Sequence, residues 1–223
     1  MLKFDTPAPV SAVLDVPAGL VRFIAADRTD TTVEVLPANA SKSRDVKAAE
    51  QTTVEYRDGV LRIAAPEAKN QLFGASGSLE VTVQLPAGSH VEAKTAAVEL
   101  RGVGRLGEVT FDGAQGPVRI DEAAGARLTL LDGDVTIGRL GGPAEISTAR
   151  GDIRITEAVR GTVTLNTQQG DIAVGAARGT SATLDAGTAY GRIHNTLTNA
   201  DGPDAALGIH ATTTQGDITA RSL

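Results

Sequence analysis

Four aspartates, Asp134, Asp152, Asp171 and Asp217, each follow a glycine in a nearly identical phrase. Carboxylates that recur in one register form a column of hard oxygen donors, the ligand chemistry of Ca²⁺. Pro117 and Arg192 break that column, and calcium-binding solenoids use a tighter repeat of roughly nine residues with more Gly and Asp per turn. The expected role of these aspartates is therefore to brace their own turns through side-chain bonds to local backbone. A second chemistry is carbohydrate cleavage, which needs paired carboxylates or a base with acidic helpers in a cleft. The outward charges Arg119, Arg154, Asp112 and Glu145 are scattered one per repeat, and aromatic platforms for sugars are nearly absent, so solvated surface is the expected reading. Thr110, Thr129, Thr164 and Thr183 would line an outer face as a column interrupted by Glu145 and Gly208, which is attributed to strand propensity.

The three histidines, His90, His194 and His210, show no pairwise ligand spacing with a third donor. No nucleophile triad order and no glycine-rich loop leading from a strand into a helix occurs. Cysteine is absent, which excludes disulfides and thiolate metal sites. The formal charge is −6, with 27 acids against 21 bases and no long run of one sign, so the electrostatic footprint of a nucleic-acid binder is missing. No cofactor or metal is expected.

These residues sit in a repeating frame. Aligned on its glycine, the phrase reads GPVRI at Gly116, GDVTI at Gly133, GDIRI at Gly151, GDIAV at Gly170, GRIHN at Gly191 and GDITA at Gly216, at spacings of 17, 18, 19, 21 and 25 residues. A second short alternating stretch precedes each phrase: 109–111, 128–130, 144–146, 163–165, 182–184 and 207–209. Alternation with period two points Val118, Ile120, Val135, Ile137, Ile153, Ile155, Ile172 and Val174 inward, and Arg119, Thr136, Arg154 and Ala173 outward. An antiparallel sandwich could also use such short strands. Similarity recurring two strands at a time instead predicts coils stacked in parallel about 4.8 Å apart. The glycines then serve as corners requiring φ > 0.

Aromatics make up only 3% of the chain while glycine numbers 25, so the core must be packed from small and β-branched side chains, which suits repeated layers. Residues 19–38 and 78–100 alternate like strands, and 53–63 reads as a hairpin turning at Asp58-Gly59. The polar segment 38–51 is a loop or one short helix. The expected organisation is an irregular N-terminal β region, 1–95, that starts or caps a solenoid of repeats over 96–223.

The stretches GLVRFIAADRTDTTVEV and LEVTVQLPAGSHVEAKTAAVELRGVG, with the repeated GDIRI, GDIAV and GDITA, resemble the bacterial "putative adhesin" β-strand-repeat family, a domain of unknown function. The resemblance covers nearly the whole chain. It implies a right-handed single-stranded parallel β-helix and transfers no catalytic residue.

The expected protein is all-β and non-enzymatic, a β-solenoid scaffold or protein-interaction module; the alternative is a carbohydrate-active or glycan-binding β-helix. No signal peptide or membrane-length apolar segment is visible, so a cytoplasmic location is expected. The final coil carries no cap, and its edge, Gly216, Asp217, Ile218, Thr219, Ala220 and Arg221, is expected to self-associate or to receive a partner strand.

Overall fold

The computed structural model describes residues 1–66 and 77–223. They are predominantly β-strand, and the chain divides into two compact units, Met1–Gly116 and Pro117–Leu223. The division falls at Gly116 and not after residue 95, because one strand runs unbroken from His90 to Gln115.

The first unit contains β1 (Leu2–Asp5), β2 (Ser11–Ala26), β3 (Asp30–Pro37), α1 (Ser43–Gln51), β4 (Thr53–Arg57), β5 (Val60–Ala64), β6 (Leu79–Pro86) and β7 (His90–Gln115). Long strands β2 and β7 pair in parallel from Ser11↔His90 to Ala25↔Gly104. On its other side β2 pairs in parallel with β5 and β6. Antiparallel partners then extend the sheet: β4 beside β5, β3 beside β6, and β1 beside β3. The hairpin between β4 and β5 turns where expected, with Asp58 at φ 51° and Gly59 at φ 80°, the two positive values of a type I′ turn. The polar segment resolves as helix α1. It is anchored by the buried Asp45, whose Oδ1 accepts the Ser78 backbone N–H at 3.1 Å.

The second unit contains β8 (Val118–Asp132), β9 (Val135–Leu140), β10 (Ala144–Arg150), β11 (Ile153–Ala158), β12 (Gly161–Gln169), β13 (Ile172–Ala176), β14 (Ala182–Tyr190), β15 (Ile193–Thr196), β16 (Leu207–Gln215) and β17 (Ile218–Ser222). Every strand pair here is parallel, in two ladders. One runs from the start of β8 through β9, β11, β13 and β17 to β15, in the register Val118↔Val135↔Ile153↔Ile172↔Ile218↔Ile193. The other runs from the end of β8 through β10, β12 and β16 to β14.

Side-chain alternation builds the core as the period-two pattern requires. Val118, Ile120, Val135, Ile137, Ile153, Ile155, Ile172 and Val174 are all buried. Each such side chain contributes about 1.5–3 kcal/mol relative to an exposed position. The threonine ladder does not form. Thr129 lies opposite Ser147, whereas Thr164 lies between Glu145 and His210, so the two threonines are offset by two residues along the ladder.

The order of coils in space differs from their order in the chain. β16 pairs with β12 on one side and β14 on the other, and β17 likewise lies between β13 and β15. The last coil of the sequence is therefore an interior coil. Gly216, Asp217, Ile218, Thr219, Ala220 and Arg221, expected to form a free edge, are covered by strands on both sides; the chain passes over one coil height at β14–β15 and returns to fill the gap. The open edge of this unit belongs to β14 and β15, each with one strand partner among the described residues.

Candidate functional site

The echoed phrase folds into one corner of the coil, and its geometry explains which letters recur. At each corner the aspartate bonds to the neighbouring coil and not to its own turn. The Asp152 N–H donates to Asp134 Oδ1 at 2.9 Å, Asp171 N–H to Asp152 Oδ1 at 2.8 Å, and Asp217 N–H to Asp171 Oδ1 at 2.7 Å. Arg192 closes the series by donating its N–H to Asp217 Oδ1 at 2.8 Å. The expected turn brace is thus a ladder between coils, each carboxylate satisfying the next backbone donor. It stops at Arg192, which offers no carboxylate to a further coil.

The glycines stand beside that ladder. Gly116, Gly133, Gly151, Gly170 and Gly216 have positive φ, and Gly191 lies outside that set. Close approach of the coils is the requirement common to the stacked corners. A Cβ on Gly170 would lie 2.1 Å from the Gly151 carbonyl oxygen, one on Gly216 2.0 Å from that of Gly170, and one on Gly191 1.9 Å from that of Gly216. Gly151, at φ 135°, is excluded to other residues on both grounds, its Cβ falling 2.2 Å from Gly133 O. Gly116 makes the same approach within the first unit, against Val98 O at 2.1 Å.

A third residue in the corner was missed by the sequence reading. Three positions before the glycine stands Thr148, Thr167, Thr188 or Thr213. Thr167 Oγ1 donates to Gly151 O at 3.1 Å, Thr213 Oγ1 to Gly170 O at 3.0 Å, and Thr188 Oγ1 to Gly216 O at 3.1 Å. Thr148 lies 3.5 Å from Gly133 O and donates within its own strand to Arg150 O at 3.0 Å. The signal was present, because Thr-x-x-Gly recurs in STARGD, NTQQGD, GTAYGR and TTTQGD. The unit of the repeat is therefore Thr-x-x-Gly-Asp, in which hydroxyl, glycine and carboxylate all address an adjacent coil.

Among the described residues no group of three or more His, Cys, Asp or Glu side chains is placed to hold a metal ion. The histidines are dispersed: His90 Nδ1 accepts the Glu108 N–H at 3.0 Å, His210 faces Asp185 at 3.4 Å, and His194 is exposed on β15. Of the outward charges expected to be solvated surface, Glu145 lies 3.5 Å from Arg127 and Arg154 lines a shallow depression on the β11–β13–β17 ladder. No helix among the described residues is long and apolar enough to cross a membrane.

The family described as Toastrack DUF4097 matches residues 87–219. Among solved structures, a putative adhesin from Bacteroides fragilis is similar at 16% identity and a TM-score of 0.56, covering 100% of this chain and 96% of its own. A putative adhesin from Parabacteroides distasonis is 16% identical with a TM-score of 0.47, covering 98% and 95%. No curated protein matches the chain.

Proposed function

From the premise that the chain belongs to the Toastrack DUF4097 family, we propose that it is a non-enzymatic scaffold that binds a protein partner, folded as a right-handed single-stranded parallel β-helix. The observation that carries this reading is the corner ladder: the repeated polar residues are spent on holding one coil to the next. What the second unit offers outward is an open strand edge at β14–β15, where unpaired backbone groups invite an added strand. Tyr190 and Ile193 are exposed along it, at 73% and 47%. The Bacteroides fragilis relative, whose fold is shared, is described as a putative adhesin, which accords with an interaction role.

The test is cross-linking mass spectrometry in cells of the native host, with the intact chain beside Ile193→Lys. Cross-links to a partner at residues 182–196 that vanish in the variant are expected. Cross-links unchanged by the variant would place the interaction elsewhere, and turnover of a polysaccharide by the purified chain would overturn the non-enzymatic assignment. Fractionation of the same cells checks the cytoplasmic location proposed from the sequence.

A further inference from the structure

We infer that the outer face of the β11–β13–β17 ladder carries a binding site for a phosphoryl group, clamped between Arg154 and Arg221. The two arginines flank a depression of about 220 Å³, and its lining includes Thr156, Ala173, Gly175 and Thr219. In register, Arg154 lies beside Ala173 on the preceding coil and Arg221 beside Gly175 on the following one. Arg221 also stands two residues further along its strand than Thr219, the residue in register with Arg154, so the two Cα positions are separated diagonally by about 12 Å, which lets both guanidiniums reach one group seated over the intervening strand.

The floor of the depression is fixed by the fold. A Cβ on Gly175 would lie 2.2 Å from the Thr156 carbonyl oxygen, so residue 175 can carry no side chain of its own there, and the Leu223 side chain approaches the same point to 3.3 Å. Across the outward positions of these strands and of β15, namely Arg154, Thr156, Ala173, Gly175, Thr219, Arg221, His194 and Thr196, there is no acid. The neighbouring Glu157 is engaged by Arg139. Neither Arg154 nor Arg221 has a carboxylate partner among the described residues, which holds also for the exposed Arg160, Arg178 and Arg192, while Arg127, Arg139 and Arg150 each have one. On a chain of net charge −6 this is a local reversal of sign.

Donor count selects the ligand. Each guanidinium presents a planar fork of N–H donors, and each threonine adds a hydroxyl. A phosphoryl dianion supplies three strong acceptor oxygens and close to two charges, which two forks and two hydroxyls saturate. A carboxylate, with one charge and two oxygens, leaves part of the set unused. A phosphate ester and free phosphate share this chemistry.

The test is calorimetric titration of the full chain at low ionic strength with phenyl phosphate, inorganic phosphate and acetate. Binding of a phosphoryl ligand is expected, about tenfold tighter than acetate, and weakened about tenfold or more in both Arg154→Gln and Arg221→Gln. Arg127→Gln, on the other ladder, is expected to bind like the parent. Inorganic phosphate bound without phenyl phosphate assigns the site to the free anion, and binding of the ester assigns it to an esterified group. No phosphoryl binding, acetate bound equally well, or affinity retained in both arginine variants would each overturn the inference. All three substitutions are at exposed side chains, and coincident melting curves confirm that the fold is intact.

Discussion

A single methyl group is a sharp probe of the corner. Gly170→Ala places a Cβ 2.1 Å from Gly151 O in a left-handed-region φ of 150°, so the two coils must separate locally. A stability loss of about 3 kcal/mol is expected from strain plus disrupted ladder bonds. Gly179→Ala is the control: φ is 75°, but no atom lies within 4 Å of the added carbon, so only the conformational cost of about 1 kcal/mol applies. Equal losses in urea melts would show that close approach is unimportant. Asp30 carries the pH dependence at this scale. The hydrogen bond from Arg28, and secondarily that from Lys3, pulls its carboxyl from 3.8 to about 2. Because the folded value is the lower one, the stabilisation is present above pH 3.8 and is lost as pH falls through 2. Asp30→Asn is expected to flatten the fall in stability between those limits, measured by urea melts across the acid range.

For a strand, the informative comparison is between its two faces. Ile172 is buried between Ile153 and Ile218, whereas Ala173, its neighbour, points outward. Ile172→Asp buries a carboxylate without a partner and is expected to cost several kcal/mol or to prevent folding. Ala173→Ser is expected to change stability by no more than about 0.5 kcal/mol. Similar thermal midpoints for the two variants would contradict the register. This face assignment was legible in the sequence because period two is a local property of the strand. The partner of each strand was not, since a strand displays the same alternation whichever neighbour it has.

Over the whole chain, the consequence lies in the position of the last coil. Leu207, Ile209, Ala211, Ile218 and Ala220 are all buried, and their strands connect coils on either side. Deleting residues 207–223 therefore removes an interior layer and leaves β12 and β14 without the strand that joins them. Loss of cooperative unfolding by the second unit is expected, followed by circular dichroism during thermal melting. A terminal coil at an edge would instead tolerate its removal, with the remaining coils melting nearly as before.

The repeat, the faces of its strands, the hairpin at Asp58-Gly59 and the identity of the corner glycines were determined by the sequence alone, because alternation and turn chemistry act over a few residues. The role of Asp152 and its counterparts, and the place of Thr167 beside them, required the neighbouring coil to be known, since both side chains bond across the stack. The order of the coils was decided only in three dimensions. Coils bearing the same corner offer nearly the same ladder to one another, so local pattern does not say which stacks on which. Two traces of the answer were nonetheless written in the chain: the spacings lengthen to 21 and 25 residues around Gly191, long enough to pass a coil and return, and Arg192 stands where an aspartate would support a further coil. Longer connections add little closure entropy, so burial of Leu207, Ile209 and Ile218 between two existing layers outweighs stacking them at an open end.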